Sequence, residues 1–277
     1  MFDGFHSAIV GVDGSDESIV ALDQARRLLA EGGALTAVTV CEERLAVHAG
    51  FNAPAVAEGI HVAAAAAQAL AAKELASLPG AEARLAHGKP TQRLLAAAKE
   101  LRADLLAVGC HEHSRAGAIV FGSVPSELLH YASETVLVAR RRERRGVVSI
   151  VVGVDGSPAS LAALAVAREV AAREGAHLLA VAAERGKGVD SAVLDEVDDL
   201  ERHQGHPVDV LIAAAEGADL VVLGNRGLHG LAALGSVSER VAHHAPCSIL
   251  VVRGAAVVRA LNKRPANEAA VAAGGAH

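Results

Sequence analysis

The second part of the chain repeats the first in a shortened form. Asp13-Gly14-Ser15 recurs as Asp155-Gly156-Ser157, each time between a short apolar run and a helical pattern. Three further pairs of similar segments follow in the same order: HGKPTQRLL (87–95) and QGHPVDVLI (204–212), ADLLAVG (103–109) and ADLVVLG (218–224), and FGSVPSELLHYASETVLVAR (121–140) and LGSVSERVAHHAPCSILVVR (234–253). Because the order is kept throughout, we predict a duplicated domain.

The spacing between matching segments tells where the second copy is shorter. It falls from 142 residues at the first pair to 117 at the second, a loss of 25 residues, and then only to 113 at the last. We expect one domain at 1–143 and a shortened one at 144–253, with RRRERRG (140–146) as a solvated linker. We expect a disordered tail at 254–277, because this segment has no apolar period long enough to dock.

Within each copy, short apolar runs alternate with helical patterns, which indicates parallel βαβ units. In the first copy we predict strands near 7–13, 34–41, 80–87, 104–109 and 134–140, and helices near 16–31, 55–78, 90–102 and 123–132. The strands are apolar without strict alternation, which is typical of strands covered on both faces. The prediction is an α/β fold with two doubly wound domains, each with its ligand site at the carboxyl ends of the strands.

The second copy is predicted to be incomplete. Only about 20 residues separate its second strand (176–183) from the GHP motif, too few for a full crossover helix and a third strand. DSAVLDEVDDLERH (190–203) has the pattern of one short acidic helix. We therefore expect the second domain to lack most of its second helix and third strand, or to keep only a rudimentary strand.

Composition narrows the class of protein. Aromatic residues are only 2% of the chain, so its core must consist of Ala, Val and Leu, and the net charge of −6 argues against a nucleic-acid or anionic-membrane partner. Three cysteines at positions without a paired spacing and an N-terminus without a signal-peptide pattern indicate a cytoplasmic protein. The apolar stretch AAAAAQALAAKELA contains charge and is mostly Ala, so we do not expect a membrane span.

Two corners of each copy could bind a ligand: the Asp-Gly-Ser turn after the first strand, and the glycine-rich loop after the fourth strand. At the first, Gly permits a positive φ and Asp or Ser caps the next helix, so the motif is either a plain turn or a place where Asp13 or Asp155 accepts hydrogen bonds from a ligand. At the second, Gly224 and Gly227 precede Gly235-Ser236 at the start of a helix. That arrangement is either an ordinary capped helix or an anion site formed by backbone N–H groups.

Other chemistries find less support. CHEH at 110–113 could suggest a metal, but loop positions without a further cysteine or carboxylate cluster rarely make a closed site, so no metal site is predicted. The sequence contains no P-loop, no GxGxxG, no nucleophile elbow and no HExxH. A catalytic constellation is therefore not predicted.

The two corners together resemble the universal stress protein family, over residues 7–140 and again over 148–253. The resemblance implies flavodoxin-like, Rossmann-like domains with five parallel strands in the order 3-2-1-4-5, and in many members ATP binding. It implies that the first-strand Asp and a residue ending strand two contact adenosine, and that the glycine loop and its Ser hold ribose and phosphates. The matching residues are Asp13, Val40, Gly109, Gly122, Ser123 and Val124 in the first copy, and Asp155, Val181, Gly224, Gly227, Gly235, Ser236 and Val237 in the second.

Each copy departs from the family pattern G-x2-G-x9-G-[ST]. In the first, Glu112 replaces the second glycine; in the second, only seven residues separate Gly227 from Gly235. Because the second copy keeps both glycines, it is favoured as the copy that binds phosphate. The first copy is favoured by its more complete fold.

The predicted function is an ATP-binding stress-response regulator or sensor, with or without Mg²⁺. The alternatives are a scaffold with degenerate loops that binds no nucleotide, and a slow ATPase or nucleotidyl-transferring enzyme. We expect TVLVAR (135–140) and SILVVR (248–253) to pair the two halves as an intramolecular pseudo-dimer. The sequence leaves open whether two chains also form a homodimer.

Overall fold

Ten strands form one continuous sheet in the computed structural model of the chain. The structure describes residues 2–43, 53–110, 121–141, 146–184, 197, 199–225 and 236–253. The predicted tail (254–277), most of the linker, Glu112, Gly227 and Gly235 lie outside these residues. The domain limits therefore stay predictions.

The first half contains β1 (Phe5–Gly11), α1 (Asp16–Leu28), β2 (Leu29–Cys41), α2 (Ala53–Leu75), β3 (Glu82–His87), α3 (Pro90–Glu100), β4 (Leu105–Gly109), α4 (Ser123–Tyr131) and β5 (Thr135–Ala139). The second half contains β6 (Ser149–Gly153), α5 (Pro158–Glu174), β7 (His177–Glu184), β8 (Leu200–Gln204), α6 (Pro207–Ala215), β9 (Leu220–Gly224), α7 (Ser236–His244) and β10 (Ser248–Val252).

The strand order explains how one sheet serves two domains. It runs β3-β2-β1-β4-β5-β10-β9-β6-β7-β8, so each half has the predicted order 3-2-1-4-5. All neighbours are parallel except β5 and β10, which pair antiparallel with Leu137 opposite Leu250. The predicted pairing of the two halves through their last strands is confirmed.

The third strand of the second half corrects one expectation. β8 is present and pairs in parallel with β7 from Ala180–Leu200 to Glu184–Gln204. The predicted acidic helix over 190–203 is thus wrong from residue 200 onward, and residues 185–196 lie outside the described part. The prediction failed because β7 presents an open hydrogen-bonding edge, which holds a polar segment as a strand despite its helical pattern. With five mostly exposed residues, β8 is nevertheless a short strand.

Apolar layers cover both faces of the sheet. α1, α2 and α5 pack on one face, and α3, α4, α6 and α7 on the other. In β5, Leu137 and Ala139 belong to the first layer and Val136 and Val138 to the second, as the period of a strand requires. Both layers consist largely of Ala, Val and Leu, so the predicted type of core is confirmed.

The Ala-rich helix α2 buries one face against the sheet. Ala64, Ala67, Ala71 and Leu75 are buried, at the spacing of one helix face. By length and composition alone the segment Pro54–Leu75, with a mean hydropathy of 1.3, could cross a membrane, although helices that cover a soluble core also meet this test. The absence of a membrane partner therefore stays a prediction.

Two buried arginines join the halves. Arg140, after β5, donates from Nη1 to the Cys247 carbonyl (2.9 Å) and from Nη2 to the Ala242 carbonyl (2.8 Å) near the end of α7. Arg253, after β10, donates in the same way to Ala132 (2.8 Å) and Leu129 (2.6 Å) at the end of α4. Each half thus supplies a cation that binds main-chain carbonyls at and just beyond the C-terminus of a helix in the other half, where the helix dipole favours positive charge.

Candidate functional site

The predicted site residues lie along the carboxyl edge of the sheet. In the first half Asp13 follows β1, Val40 lies near the end of β2, and Gly109 ends β4. Because β1 lies between β2 and β4, these ends are neighbours. The chain leaves β1 toward β2 and reaches β4 on the other side, so the crevice between them is the switch point at which doubly wound folds bind ligands.

The two Asp-Gly-Ser corners have the same geometry. Asp13 Oδ1 accepts a hydrogen bond from the Ser15 backbone N–H (3.0 Å), and Asp155 Oδ1 accepts one from that of Ser157 (3.0 Å). Both serines are N-caps, of α1 and α5. Gly14 and Gly156 have φ of +88° and +77°, which favour glycine. Both Asp side chains are exposed at the strand tip, so the turn role is established and a ligand role is compatible with it.

The glycines that end β4 and β9 are required by close helix packing within the fold. A Cβ on Gly109 would lie 2.5 Å from the Glu17 carbonyl carbon, and one on Gly224 would lie 2.2 Å from the Ala159 carbonyl oxygen. The first turns of α1 and α5 therefore cross these strand ends at a distance that only glycine permits. Helix packing accounts for both glycines without a phosphate.

The two strand-two residues are not equivalent in the structure. Val12 N–H donates to the Val38 carbonyl (3.0 Å), and Val154 N–H donates to the Val181 carbonyl (2.9 Å). Val181 therefore corresponds to Val38, and Val40 corresponds to Ala183, two residues further on. Val40 and Ala183 are half-buried, whereas Val181 is in the core. The sequence comparison missed Ala183 because no motif marks the register of strand two.

The two candidate phosphate helices differ in charge. Gly122 is the N-cap of α4 and provides no side-chain cap, and the first turn after it, from Ser123 and Val124 onward, has no acidic residue. The first turn of α7, which begins at Ser236 and Val237, contains Glu239. Glu239 Oε1 lies 3.0 Å from His130 Nε2 in the first half. A carboxylate in this turn weakens an anion site, so the helix of the first half is better suited to phosphate.

A second cluster of polar groups lies at the ends of β2 and β3. Cys41, Glu43, His61 and His87 each place one ligand atom within 4.8 Å of the others. Burial, and after it the Glu43 carboxylate, raises the pKa of the Cys41 thiol. The residues are spread over 47 positions of the chain with no motif spacing, so sequence analysis did not find them. The structure thus adds a donor cluster where no metal site was predicted.

A groove between α1 and the segment that joins the two halves is separate from the predicted site residues. Its volume is about 710 Å³, and charged side chains of α1, including Asp16, Asp23 and Arg27, line it together with Arg141 and Asp219. None of the predicted site residues lines it, and we assign it no function.

Comparisons with known proteins agree with this architecture. The model of the universal stress protein family matches residues 4–140 and 182–253. A universal stress protein of Mycolicibacterium smegmatis is 31% identical over 182 residues, which cover 54% of this chain but only 62% of that protein. One of Mycobacterium tuberculosis is 28% identical over 296 aligned positions, covering 90% of this chain and 97% of the relative. The crystal structure of a universal stress protein from Archaeoglobus fulgidus has a TM-score of 0.59 at 20% identity, covering 89% of this chain and 96% of that one.

Proposed function

The chain belongs to the universal stress protein family, and we propose that its first half binds an adenine nucleotide, ATP above all, at the carboxyl ends of β1, β2 and β4. The observation that carries the proposal is the N-terminus of α4, which has no acidic residue in its first turn and, among the described residues, no side-chain cap, on the same half as the exposed Asp13 corner. A nucleotide needs both a polar contact for its base or ribose and a donor site for its phosphates.

The nucleoside end of the ligand is assigned to the ends of β1 and β2. Asp13 presents an exposed carboxylate at the strand tip, and Val40 offers a half-buried apolar surface on the next strand. A carboxylate beside an apolar wall suits a flat base and a ribose, whose hydroxyl and amino groups are donors.

The phosphates are assigned to the N-terminus of α4. The N–H groups of Ser123 and Val124 begin this helix, and Gly122 supplies no side-chain acceptor for them. Exposed N–H donors with the helix dipole behind them stabilise a phosphate, and the Ser123 hydroxyl adds a donor. Gly109 contributes indirectly, because it lets α1 cross the end of β4.

The second half is proposed to bind nucleotide more weakly. Asp155 repeats the corner of Asp13, but Glu239 places negative charge in the first turn of α7. Gly224 is explained by packing against Ala159 and is no evidence for a phosphate there. Gly227, Gly235 and the Ser236 side chain lie outside the described part of the chain, and their roles rest on the family resemblance.

The biological role that follows is a cytoplasmic regulator or sensor that reports on adenine nucleotides, with Mg²⁺ as the usual partner of the triphosphate. We do not propose nucleic acid or membrane as partners. A scaffold without nucleotide is the second candidate, since a turn alone explains the hydrogen bonds of Asp13 and Asp155.

Isothermal titration of the full chain with ATP, ADP and adenosine tests the proposal. Asp13→Asn keeps an oxygen for the Ser15 N–H but replaces the other carboxylate oxygen with an amide donor. We expect it to lower ATP affinity by about tenfold, which corresponds to about 1.4 kcal/mol for one charge-assisted hydrogen bond. Asp155→Asn is the matched control and should change affinity by less than about twofold. Absence of ATP binding by the unaltered chain, or an effect of Asp155→Asn alone, would contradict the assignment.

A further inference from the structure

We propose that Cys41, Glu43, His61 and His87 form a binding site for a divalent transition-metal ion, with Zn²⁺ as the best match. The inference is separate from the nucleotide site, because it uses none of the residues assigned to base, ribose or phosphate. It rests on the positions of four donor atoms that all lie within 4.8 Å of one another.

The distances between donors are close to those around a tetrahedral ion. Cys41 Sγ lies 3.4 Å from His61 Nδ1, His61 Nε2 lies 3.5 Å from Glu43 Oε1, and His87 Nδ1 lies 2.9 Å from the same oxygen. Bonds of about 2.0 Å to nitrogen and oxygen and about 2.3 Å to sulfur place tetrahedral ligands about 3.3–3.6 Å apart. His61 can bind an ion through only one ring nitrogen, so one of its two contacts is given up on binding, and His87 Nδ1 and Glu43 Oε1 move apart from 2.9 Å to admit the ion.

The backbone fixes two of the donors. Cys41 and His87 are direct partners across β2 and β3, and the Gly88 N–H closes the end of this pair on the Cys41 carbonyl (3.0 Å). His61 comes from α2, which packs on these two strands, and Glu43 from the turn after β2. Donors on two strands and a helix form a more precise site than donors on a single loop.

The chemistry of the set selects the ion. One thiol, two imidazoles and one carboxylate suit Zn²⁺ and its borderline-soft neighbours, whereas Mg²⁺ and Ca²⁺ prefer oxygen ligands alone. Cys41 is buried, and the other three side chains are about half exposed: 52% for Glu43, 49% for His61 and 55% for His87. An ion can therefore enter from solvent and meet the thiol at the bottom of the site.

The second half provides an internal comparison. The strand positions equivalent to Cys41 and His87 are Glu184 and Gln204, which are direct partners across β7 and β8. Gln204 Nε2 donates to Glu184 Oε2 (2.7 Å), so this pair satisfies its polar groups without an ion. At these two equivalent strand positions, only the first half has a thiol and an imidazole.

The test is metal binding by the full chain after chelator treatment and without nucleotide. Titration with Zn²⁺ against a chromogenic chelator should give one equivalent per chain. Co²⁺ should give the visible bands of a tetrahedral site and a thiolate-to-cobalt band in the near ultraviolet.

Two substitutions test the ligands. Cys41→Ser should abolish the thiolate-to-cobalt band, and His87→Gln should lower Zn²⁺ affinity by at least about tenfold, since even the loss of a ligand's outer partner costs 10–100-fold. His203→Gln, an exposed histidine of the second half that contacts Glu201, is the matched control and should leave both readouts unchanged. Circular dichroism shows that each variant is folded before its metal is measured.

Three outcomes would overturn the proposal: no metal bound without nucleotide, an unchanged cobalt spectrum in folded Cys41→Ser, or equal losses in His87→Gln and His203→Gln. Binding that appears only with ATP would assign the ion to the nucleotide phosphates instead. Failure of ATP binding with retention of Zn²⁺ would reject the proposed function and leave this site standing.

Discussion

At the residue scale, Arg140 and Arg253 are unusual because both are charged side chains buried inside the fold. Both are buried and neither contacts a carboxylate in the hydrogen bonds described; their acceptors are main-chain carbonyls. Their Nε groups lack a hydrogen-bond partner within the described residues. Burial lowers the pKa of Arg253 to about 10, so it remains a cation at neutral pH. Two cations held in this way are tolerated because each planar guanidinium satisfies two main-chain carbonyls at once, at or just beyond the end of a helix.

Replacing the guanidinium of Arg253 tests whether its two carbonyl contacts stabilise the fold. Arg253→Lys keeps the charge but cannot span the carbonyls of Leu129 and Ala132, so a buried acceptor is left unpaired. We expect the free energy of unfolding, measured with urea, to fall by about 2 kcal/mol. Arg141→Lys is the control, because the Arg141–Asp16 pair is 63% and 75% exposed and should change stability by less than about 0.5 kcal/mol. Equal small effects of both changes would contradict a stabilising role for the two carbonyl contacts of Arg253.

At the element scale, the sequence predicts most of the architecture. Nearly all helices and strands of the first half lie within about three residues of their predicted limits, because apolar runs and capping residues mark them. β2 differs: it begins at Leu29 rather than near 34, since an irregularity between Phe5–Leu29 and Ser7–Ala34 lets the segment with Gly32 extend the strand. β8 differs for another reason, the open edge of β7, which no local pattern records.

The candidate sites were predictable to the extent that they are local. Asp13 and Gly109 stand in motifs, and their places at the carboxyl edge follow from the order of parallel strands. The correspondence of Val40 with Ala183 depends on register, and the cluster of Cys41, His61 and His87 depends on the pairing of β2 with β3 and the packing of α2. Such contacts between distant segments leave no spacing that a single sequence reveals.

The N-terminus of α4 allows a prediction in which stability and binding change in opposite directions. Ser123→Asp places a carboxylate in a first turn that has no acidic residue, which should stabilise the helix by about 0.3–1 kcal/mol. The same charge should repel phosphates and lower ATP affinity, while adenosine affinity stays within about twofold. Thermal unfolding without ligand gives the first quantity and calorimetric titration the second. A parallel loss of ATP and adenosine affinity would show that α4 does not hold the phosphates.

At the scale of the whole molecule, the junction makes two domains into one folding unit. The antiparallel pairing of β5 with β10 continues the sheet, and one apolar layer contains Leu137 of the first half and Leu250 of the second. The ends of α1 and α5 also meet: Arg173 Nη2 donates to the Leu29 carbonyl (2.6 Å), and Arg27 pairs with Glu174 (3.3 Å). The outer edges left by this arrangement, β3 and β8, are short and carry charged side chains, which discourages further pairing.

We therefore expect the two halves to unfold together, because neither can lose its last strand without exposing the apolar layer of the other. Hydrogen exchange with mass spectrometry across a urea series should give the same midpoint for peptides from β4 and from β9. Fluorescence alone is insufficient, since the chain has one tyrosine and no tryptophan. Arg253→Lys should move both midpoints down together, although its lost contacts are only to α4. Separate midpoints in the unaltered chain, or a shift confined to β4 in the variant, would mean that the halves fold independently and that the shared sheet contributes little to stability.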